Sequence, residues 1–262
     1  MTSRLTARVG GWLPAAVVFV AVIGIWEISL LALQVQAFLL PRPSAIWSKL
    51  ADLWPTTLSR GVAFTASEAV GGLVVGVTLG TLAGLATARW RGARDTLVPI
   101  AVGASTVPII AFAPITLNWF GYESPLPRMV IVAAMVFFPV LVNTVRGLTE
   151  VAPASLELMA SYAASELETL RKLRVPNALP YWFTALRIAA TLSVIGAVVG
   201  EFFGGPLYSL GIFITNETGI SDYPGAWAAI VLACLLGISF YVLVVVAERI
   251  VAPWGVARET PL

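Results

Sequence analysis

The chain has 262 residues, 58% of them hydrophobic and 11% charged, with a formal net charge of +2. Soluble domains carry about a quarter charged residues, so this composition excludes a chain that covers itself with polar surface in water. Six apolar runs, at 12–34, 62–88, 97–118, 129–148, 182–203 and 226–251, are separated by polar or Pro/Gly-rich breaks. Each has about the 20 residues a helix needs to cross a bilayer with its backbone hydrogen bonds satisfied internally. Continuous runs of this kind exclude a barrel of short alternating strands. The expected fold is all-α and polytopic, with six transmembrane helices.

In chain order, the first run follows Arg4 and Arg8 but is longer than the 7–15 apolar residues of a signal-peptide core, and it reads as a retained helix. The segment 35–61 contains Pro41, Pro43 and Pro55, and within it Ile46, Trp47, Leu50, Leu53 and Trp54 recur at helical spacing. That pattern predicts a short helix lying at the membrane interface. The second run carries Gly72, Gly76, Gly80 and Gly84, a smooth stripe along which another helix can approach closely. Pro108 and Pro114 predict a kink and freed carbonyls in the third run. On that kinked helix, Thr106, Pro108, Phe112 and Asn118 are candidates for lining a translocation path.

Basic residues concentrate on the cytoplasmic side of short loops. With the N-terminus inside, Arg4, Arg8, Arg89, Arg91, Arg94, Arg146, Arg171, Lys172, Arg174, Arg249 and Arg258 fall inside, against Arg42, Lys49, Arg60 and Arg128 outside. Arg187 sits near the start of the fifth helix. Both termini are therefore expected in the cytoplasm. The expected organisation is 1–34 as cytoplasmic N-terminus and first helix, 35–61 as the outside interfacial segment, 62–251 as a five-helix core and 252–262 as a cytoplasmic tail. The small net charge follows from this topology and implies no nucleic-acid partner.

The sequence has no histidine, which removes the commonest metal ligand and general base, and its one cysteine, Cys234, forms no intrachain disulfide. Ionisable groups inside a membrane are costly and are functional candidates. Glu27 and Glu68 are expected to pair with neighbouring helices or reach the interface, and Glu201, near the outer end of the fifth helix, is a candidate for the path or its outer gate.

Composition changes abruptly in the cytoplasmic loop 149–180, where Glu150, Glu157, Glu166, Glu168, Arg171, Lys172 and Arg174 crowd together. Leu156, Met159, Ala160 and Ala163 share one side of a short amphipathic helix over 155–164. Ser165 and Glu168 then form an S-x-x-E capping box, and Glu168 pairs with Lys172 at i,i+4. This second helix is expected to stop before Pro176. Helices so short need something to pack against: the lipid surface or a partner protein.

The segment ELMASYAAS at 157–165, followed by VPNALP at 175–180, resembles the EAA loop of permeases from binding-protein-dependent ABC importers. That pattern runs E-A-A-x-x-x-G-A, then an apolar-Pro pair and a second proline. Glu157, Ala164, Pro176 and Pro180 match it, Leu158 and Met159 replace its alanines, and Ala163 replaces its glycine. The resemblance extends over LLPRPS at 39–44, the stretch 108–121, FFP at 137–139 with Asn143 and Thr144, and Gly200-Glu201. These look like the subgroup handling taurine, nitrate, sulfonates and vitamin precursors, and AATLSVIGAVVGEFF at 189–203 looks most like permeases for thiamine-pyrimidine or riboflavin-type solutes.

The resemblance implies a type I importer permease in the cell (plasma or inner) membrane, working as two copies around one path, a homodimer or two related chains. A dimer of cytoplasmic ATPases sits below, and an extracytoplasmic solute-binding protein docks outside, with 204–225 helping to receive it. The coupling element would comprise Glu157, Leu158, Met159, Ala160, Ala163, Ala164, Ser165, Arg171 and Pro176. Leu158, Met159 and Ala163 would enter a groove on the ATPase, and Glu157 and Arg171 would make polar contacts. The chain itself lacks the G-x-x-x-x-G-K-[ST] phosphate loop, since neither Lys49 nor Lys172 has such glycines before it. No cofactor is expected here, and ATP and Mg belong to the partner. Two other classes compete. An ion-coupled secondary transporter would use Glu27, Glu68 and Glu201 as a relay and show inverted repeats, of which none is convincing. An intramembrane enzyme lacks a nucleophile-base motif.

Overall fold

Among the described residues of the computed structural model, five uninterrupted helices are long and apolar enough to cross a membrane. The structure describes residues 2–89 and 91–256, and no strand occurs among them. The chain runs α1 (Thr2–Ala32), α2 (Pro43–Leu53), α3 (Ser59–Arg89), α4 (Arg91–Ala104), α5 (Ala113–Phe120), α6 (Leu126–Thr149), α7 (Pro153–Ser161), α8 (Glu166–Thr169), α9 (Val175–Glu201), α10 (Leu210–Gly219), α11 (Tyr223–Val251) and α12 (Pro253–Val256). Of the residues expected inside, Arg4, Arg8, Arg89, Arg91, Arg94 and Arg258 have side chains outside the described residues, as does most of the 252–262 tail.

The third apolar run is not one kinked helix. It is split into α4, a non-helical link over 105–108, a 3₁₀ turn at Ile109–Phe112, and α5. Pro108 lacks an amide hydrogen and disfavours helix in the residue before it, so the α4 ladder ends there. The split segment still runs the length of α6: Ala101 packs with Leu141 and Val145, and Leu117 lies near the backbone of Gly204 beside the start of α6.

Proline is handled differently elsewhere. Neither Pro55 nor Pro176 ends its helix. Pro55 lies in a π-turn, Trp54–Leu58, that carries α2 on into α3, and a second π-turn, Leu170–Arg174, delivers the chain to α9 with Pro176 in its first turn. Proline's missing donor costs nothing in a first turn, and a π-turn absorbs an extra residue without breaking the helix. The stop expected before Pro176 is thus replaced by continuation.

The core lies between α3, α6 and α9, where Ala69, Val132, Val136, Val140, Ala185, Ala189 and Ala197 are buried. The glycine stripe makes this packing possible. A Cβ at Gly76 would stand 2.6 Å from the Ala133 carbonyl oxygen, one at Gly80 2.8 Å from that of Phe137, and one at Gly84 2.7 Å from the Thr144 Cβ. Partners advance by four as the glycines do, so α3 and α6 run parallel. In contrast, Gly147 meets Ala178 and Gly200 meets Arg128, so α9 runs antiparallel to both. An Arg187–Glu248 ion pair at 3.3 Å joins α9 to α11.

On α2, Ile46 is buried against Leu58, Phe213 and Leu232, with Leu50 and Leu53 half-buried beside it, while Trp47 is 70% exposed. The spacing read as a surface helix therefore divides into a face on α11 and a tryptophan facing outward. Only 6% of the Pro14–Ala32 stretch of α1 is buried, and α2 is its principal neighbour.

Candidate functional site: a hairpin and a cleft

Between α6 and α9 the chain leaves the bundle as a hairpin. Pro153 starts α7 in the position where proline fits best. The helix ends in a Schellman-type closure, with the Ala163 amide donating to the Ala160 carbonyl at 2.9 Å and the Ala164 amide to the Met159 carbonyl at 3.0 Å. That closure puts Ala163 at φ +50°, the left-handed conformation that glycine adopts without a Cβ clash. The glycine of the resembled pattern falls at this position for that reason. Ala163→Gly is expected to make the turn about 0.5–1 kcal/mol harder to open, the relief of strain being partly offset by glycine's unfolded-state entropy. Slower amide hydrogen exchange over 156–164 would show it.

Ser165 then caps α8 in the expected box: its hydroxyl accepts from the Glu168 amide at 3.3 Å, and the Glu168 carboxylate accepts from the Ser165 amide at 3.0 Å. The Ser165 amide and Lys172, 3.1 Å away, hold the Glu168 carboxyl down to about 2, so this exposed box stays ionised at any physiological pH. At the base, Asn177 Nδ2 donates to the carbonyls of Gly147 (2.8 Å) and Glu150 (3.1 Å), tying the outgoing and returning strands of the hairpin together. Nothing in the spacing of the 175–180 segment marks Asn177 for this role, because its partners lie 27 and 30 residues away.

The hairpin presents large apolar side chains at its outer surface among charged ones. No residue of α7 is buried, and Leu158, Tyr162 and Leu167 are 56%, 77% and 54% exposed. Glu157, Ala160, Ala163, Ser165 and Arg171 are also exposed, whereas Met159, Ala164 and Pro176 are half-buried. Tyr162, the most exposed large side chain of the hairpin, escapes the sequence reading because the spacing of Leu156, Met159 and Ala160 drew the apolar face one step around the helix.

The second feature is a cleft of about 290 Å³ at the break in the third run, walled by Pro108 and Ile110, by Met135, Phe138 and Pro139 of α6, and by Leu192 of α9. Ser105 also lines it, its hydroxyl donating to the Val102 carbonyl at 2.6 Å, and on α6 Pro139 leaves the Met135 carbonyl without its helical donor. Of the sequence candidates, Pro108 lines the cleft. Thr106 is at the break, its hydroxyl donating to the Gly103 carbonyl at 2.7 Å, and Phe112 and Asn118 are exposed farther along. Met135, Phe138, Pro139 and Leu192 were not candidates, because apolar residues on an apolar helix carry no signal of their own.

Glu201 is not on the cleft wall. It is fully buried at the end of the bundle away from the hairpin, as are Glu68 and Arg128. Arg128, read from sequence as a loop charge, bonds the Glu68 carboxylate through Nε at 2.6 Å. Glu27 accepts from the Ser44 amide (3.0 Å) and hydroxyl (2.8 Å) in the first turn of α2. Glu27 and Glu68 therefore make the local pairings expected of them.

Long apolar helices with close glycine packing, a proline-broken segment beside a cleft, and an exposed hairpin describe a polytopic helical membrane protein. The chain belongs to the family of binding-protein-dependent transport system inner membrane components, whose sequence profile matches residues 61–253. It is thus a permease component of an ABC importer, in the inner membrane. Among curated relatives it is 34% identical to the formylaminopyrimidine transport permease protein ThiX of Halalkalibacterium halodurans, over 90% of this chain and 93% of that one. Identity to the riboflavin transport system permease protein RibX of Chloroflexus aurantiacus is 30%, over 87% and 85%. The putative aliphatic sulfonates permease SsuC of Bacillus subtilis is 24% identical over 95% and 90%. A chain of the methionine ABC transporter MetNI, solved in inward-facing conformations, superposes with a TM-score of 0.53 at 20% identity, covering 78% of this chain and 96% of that one. That likeness is one of fold.

Proposed function

We propose that this chain forms the translocation path of an ATP-driven importer for a small vitamin precursor of the thiamine-pyrimidine or riboflavin type. Separate ATPase subunits, using ATP and Mg, engage the hairpin on the cytoplasmic side, and a solute-binding protein delivers solute on the opposite face. The observation that carries the reading is the exposed apolar hairpin on a stapled stem: soluble surfaces leave such patches where a partner sits. Two copies, facing each other across the open cleft, enclose the path. Both termini lie inside, which places Arg146, Arg171, Lys172, Arg174 and Arg249 in the cytoplasm.

The solute reading rests on two relatives whose names give a solute, at 34% and 30% identity, and on the chemistry of the cleft. The runner-up solutes, sulfonate, taurine and nitrate, all carry an anionic group. Among the described residues no charged side chain lines the cleft, and desolvating an anion without a counter-charge is costly. A neutral heterocycle with N–H donors suits backbone carbonyls and a hydroxyl better.

The test is ATP hydrolysis in proteoliposomes holding the permease, its ATPase and its binding protein. Hydrolysis should rise with binding protein loaded with pyrimidine precursor or flavin. Leu158→Asp with Tyr162→Asp should cut that rise at least tenfold without unfolding the chain. Full stimulation in the double variant sinks the hairpin's role. A response to sulfonate or nitrate alone sinks the vitamin reading.

A further inference from the structure

At the end of the bundle away from the hairpin, four polar side chains from three different helices meet with none of their surface exposed: Thr65 and Glu68 of α3, Arg128 of α6 and Glu201 of α9. Arg128 gives Nε to Glu68 but directs its other nitrogens to loop backbone. Nη1 donates to the carbonyls of Tyr122 (3.1 Å) and Gly204 (2.9 Å), and Nη2 to that of Ser124 (2.8 Å). Glu201 accepts from the Thr65 hydroxyl at 2.7 Å and from the Gly211 amide at 2.6 Å, and the Leu210 amide donates to the Thr65 oxygen at 3.2 Å.

The space is fitted to these groups. A Cβ at Gly200 would stand 2.9 Å from Arg128 Cγ, and one at Gly211 2.6 Å from Glu201 Cβ. The guanidinium also lies 5.8 Å from the centre of the Phe64 ring. If the cluster served only to join helices, its donors would run from helix to helix. Three of the bonds from Arg128 go instead to two loops, 121–125 and 202–209, and Glu201 and Thr65 hold the first two amides of α10. Those segments carry the surface side chains Tyr122, Leu207 and Tyr208, which are 56%, 74% and 42% exposed. Exposed tyrosines are enriched where proteins dock.

We infer that Thr65, Glu68, Arg128 and Glu201 form a buried brace that keeps this patch preformed for the solute-binding protein, with Arg128 as its main positioning residue. The inference rests on the reading above that this face is the outer one. Preorganised loops bind tighter because their ordering is not charged against association, so loosening the brace weakens docking without touching any docking residue.

The test uses the assembled permease–ATPase complex in nanodiscs and its immobilised binding protein. Arg128→Met with Glu68→Leu removes both partners of the ion pair, so Glu68 is not stranded, and Glu201 keeps its bonds from Thr65 and the Gly211 amide; cores often accept such a replacement. The complex should stay monodisperse, the Kd for binding protein should rise at least tenfold, and saturating binding protein should restore the maximal stimulated ATPase rate, an effect on KM more than on kcat. Thr65→Val, which removes both the hydroxyl's bond to Glu201 and its hold on the Leu210 amide, should raise the Kd about threefold, and Thr65→Ser should restore it. An assembled double variant that docks with wild-type Kd overturns the brace. Should the double variant not assemble, the valine–serine pair decides by the same reading: equal Kd values overturn the inference. Absence of any docking by the wild-type complex overturns the outer-face assignment itself, and the brace falls with it.

Discussion

Gly76→Leu is expected to leave no correctly packed permease. The Cβ alone would come within 2.6 Å of the Ala133 carbonyl oxygen and 3.0 Å of its Cα. These are backbone atoms of α6, which cannot move aside as a side-chain tip can. Overpacking a tight interior costs about 1–3 kcal/mol even where side chains can shift, so Gly76→Ala should fall in that range. Leucine adds three more carbons and forces α3 off α6 along a seam repeated at Gly72, Gly80 and Gly84. Gly24 and Gly237 provide the control, since nothing stands within 4 Å of a Cβ at either. Leucine there should change thermal stability in detergent little. Gly76→Leu should yield aggregated protein on size exclusion. Recovery of a monodisperse peak with a wild-type melting temperature would refute the close parallel packing of the two helices.

The seam was legible because spacing alone predicts it: four glycines at intervals of four share a face whatever the partner. The hairpin was legible for a related reason. Its charges interrupt an apolar chain, and the Ser165–Glu168 box is a local device whose partners are three residues apart. Both signals depend on neighbours in sequence. The cleft and the brace do not. Met135 and Leu192 are 57 residues apart, and nothing in either apolar run distinguishes them. Arg128 looked like one more outside loop charge, and only the folded packing of α3, α6 and α9 closes around it. Even the two prolines that mattered most diverged in effect. Pro108 broke its helix and Pro176 did not, because the second follows a π-turn and enters in a first turn, where its missing donor is harmless.

Arg128→Ala is expected to be the most damaging single truncation. It strands the Glu68 carboxylate, whose side chain is fully buried, and leaves the carbonyls of Tyr122, Ser124 and Gly204 without their donor. Removing one partner of a buried ion pair costs about 3–5 kcal/mol, and that is a large part of the stability of an ordinary domain. The side chain of Arg128 also fills space against Gly200, Gly205 and Phe64, so its loss opens a cavity as well. Thermal unfolding in nanodiscs should show a drop large enough to unfold much of the protein at growth temperature. Glu68→Leu added to Arg128→Met should recover most of it, since the Glu68 carboxylate is then removed together with its partner. The comparison separates two ideas. If the single and double variants are equally unstable, the helices depend on the charges themselves. If the double variant recovers, the bundle needs only the volume, and the work left for the charged pair is to hold the loops.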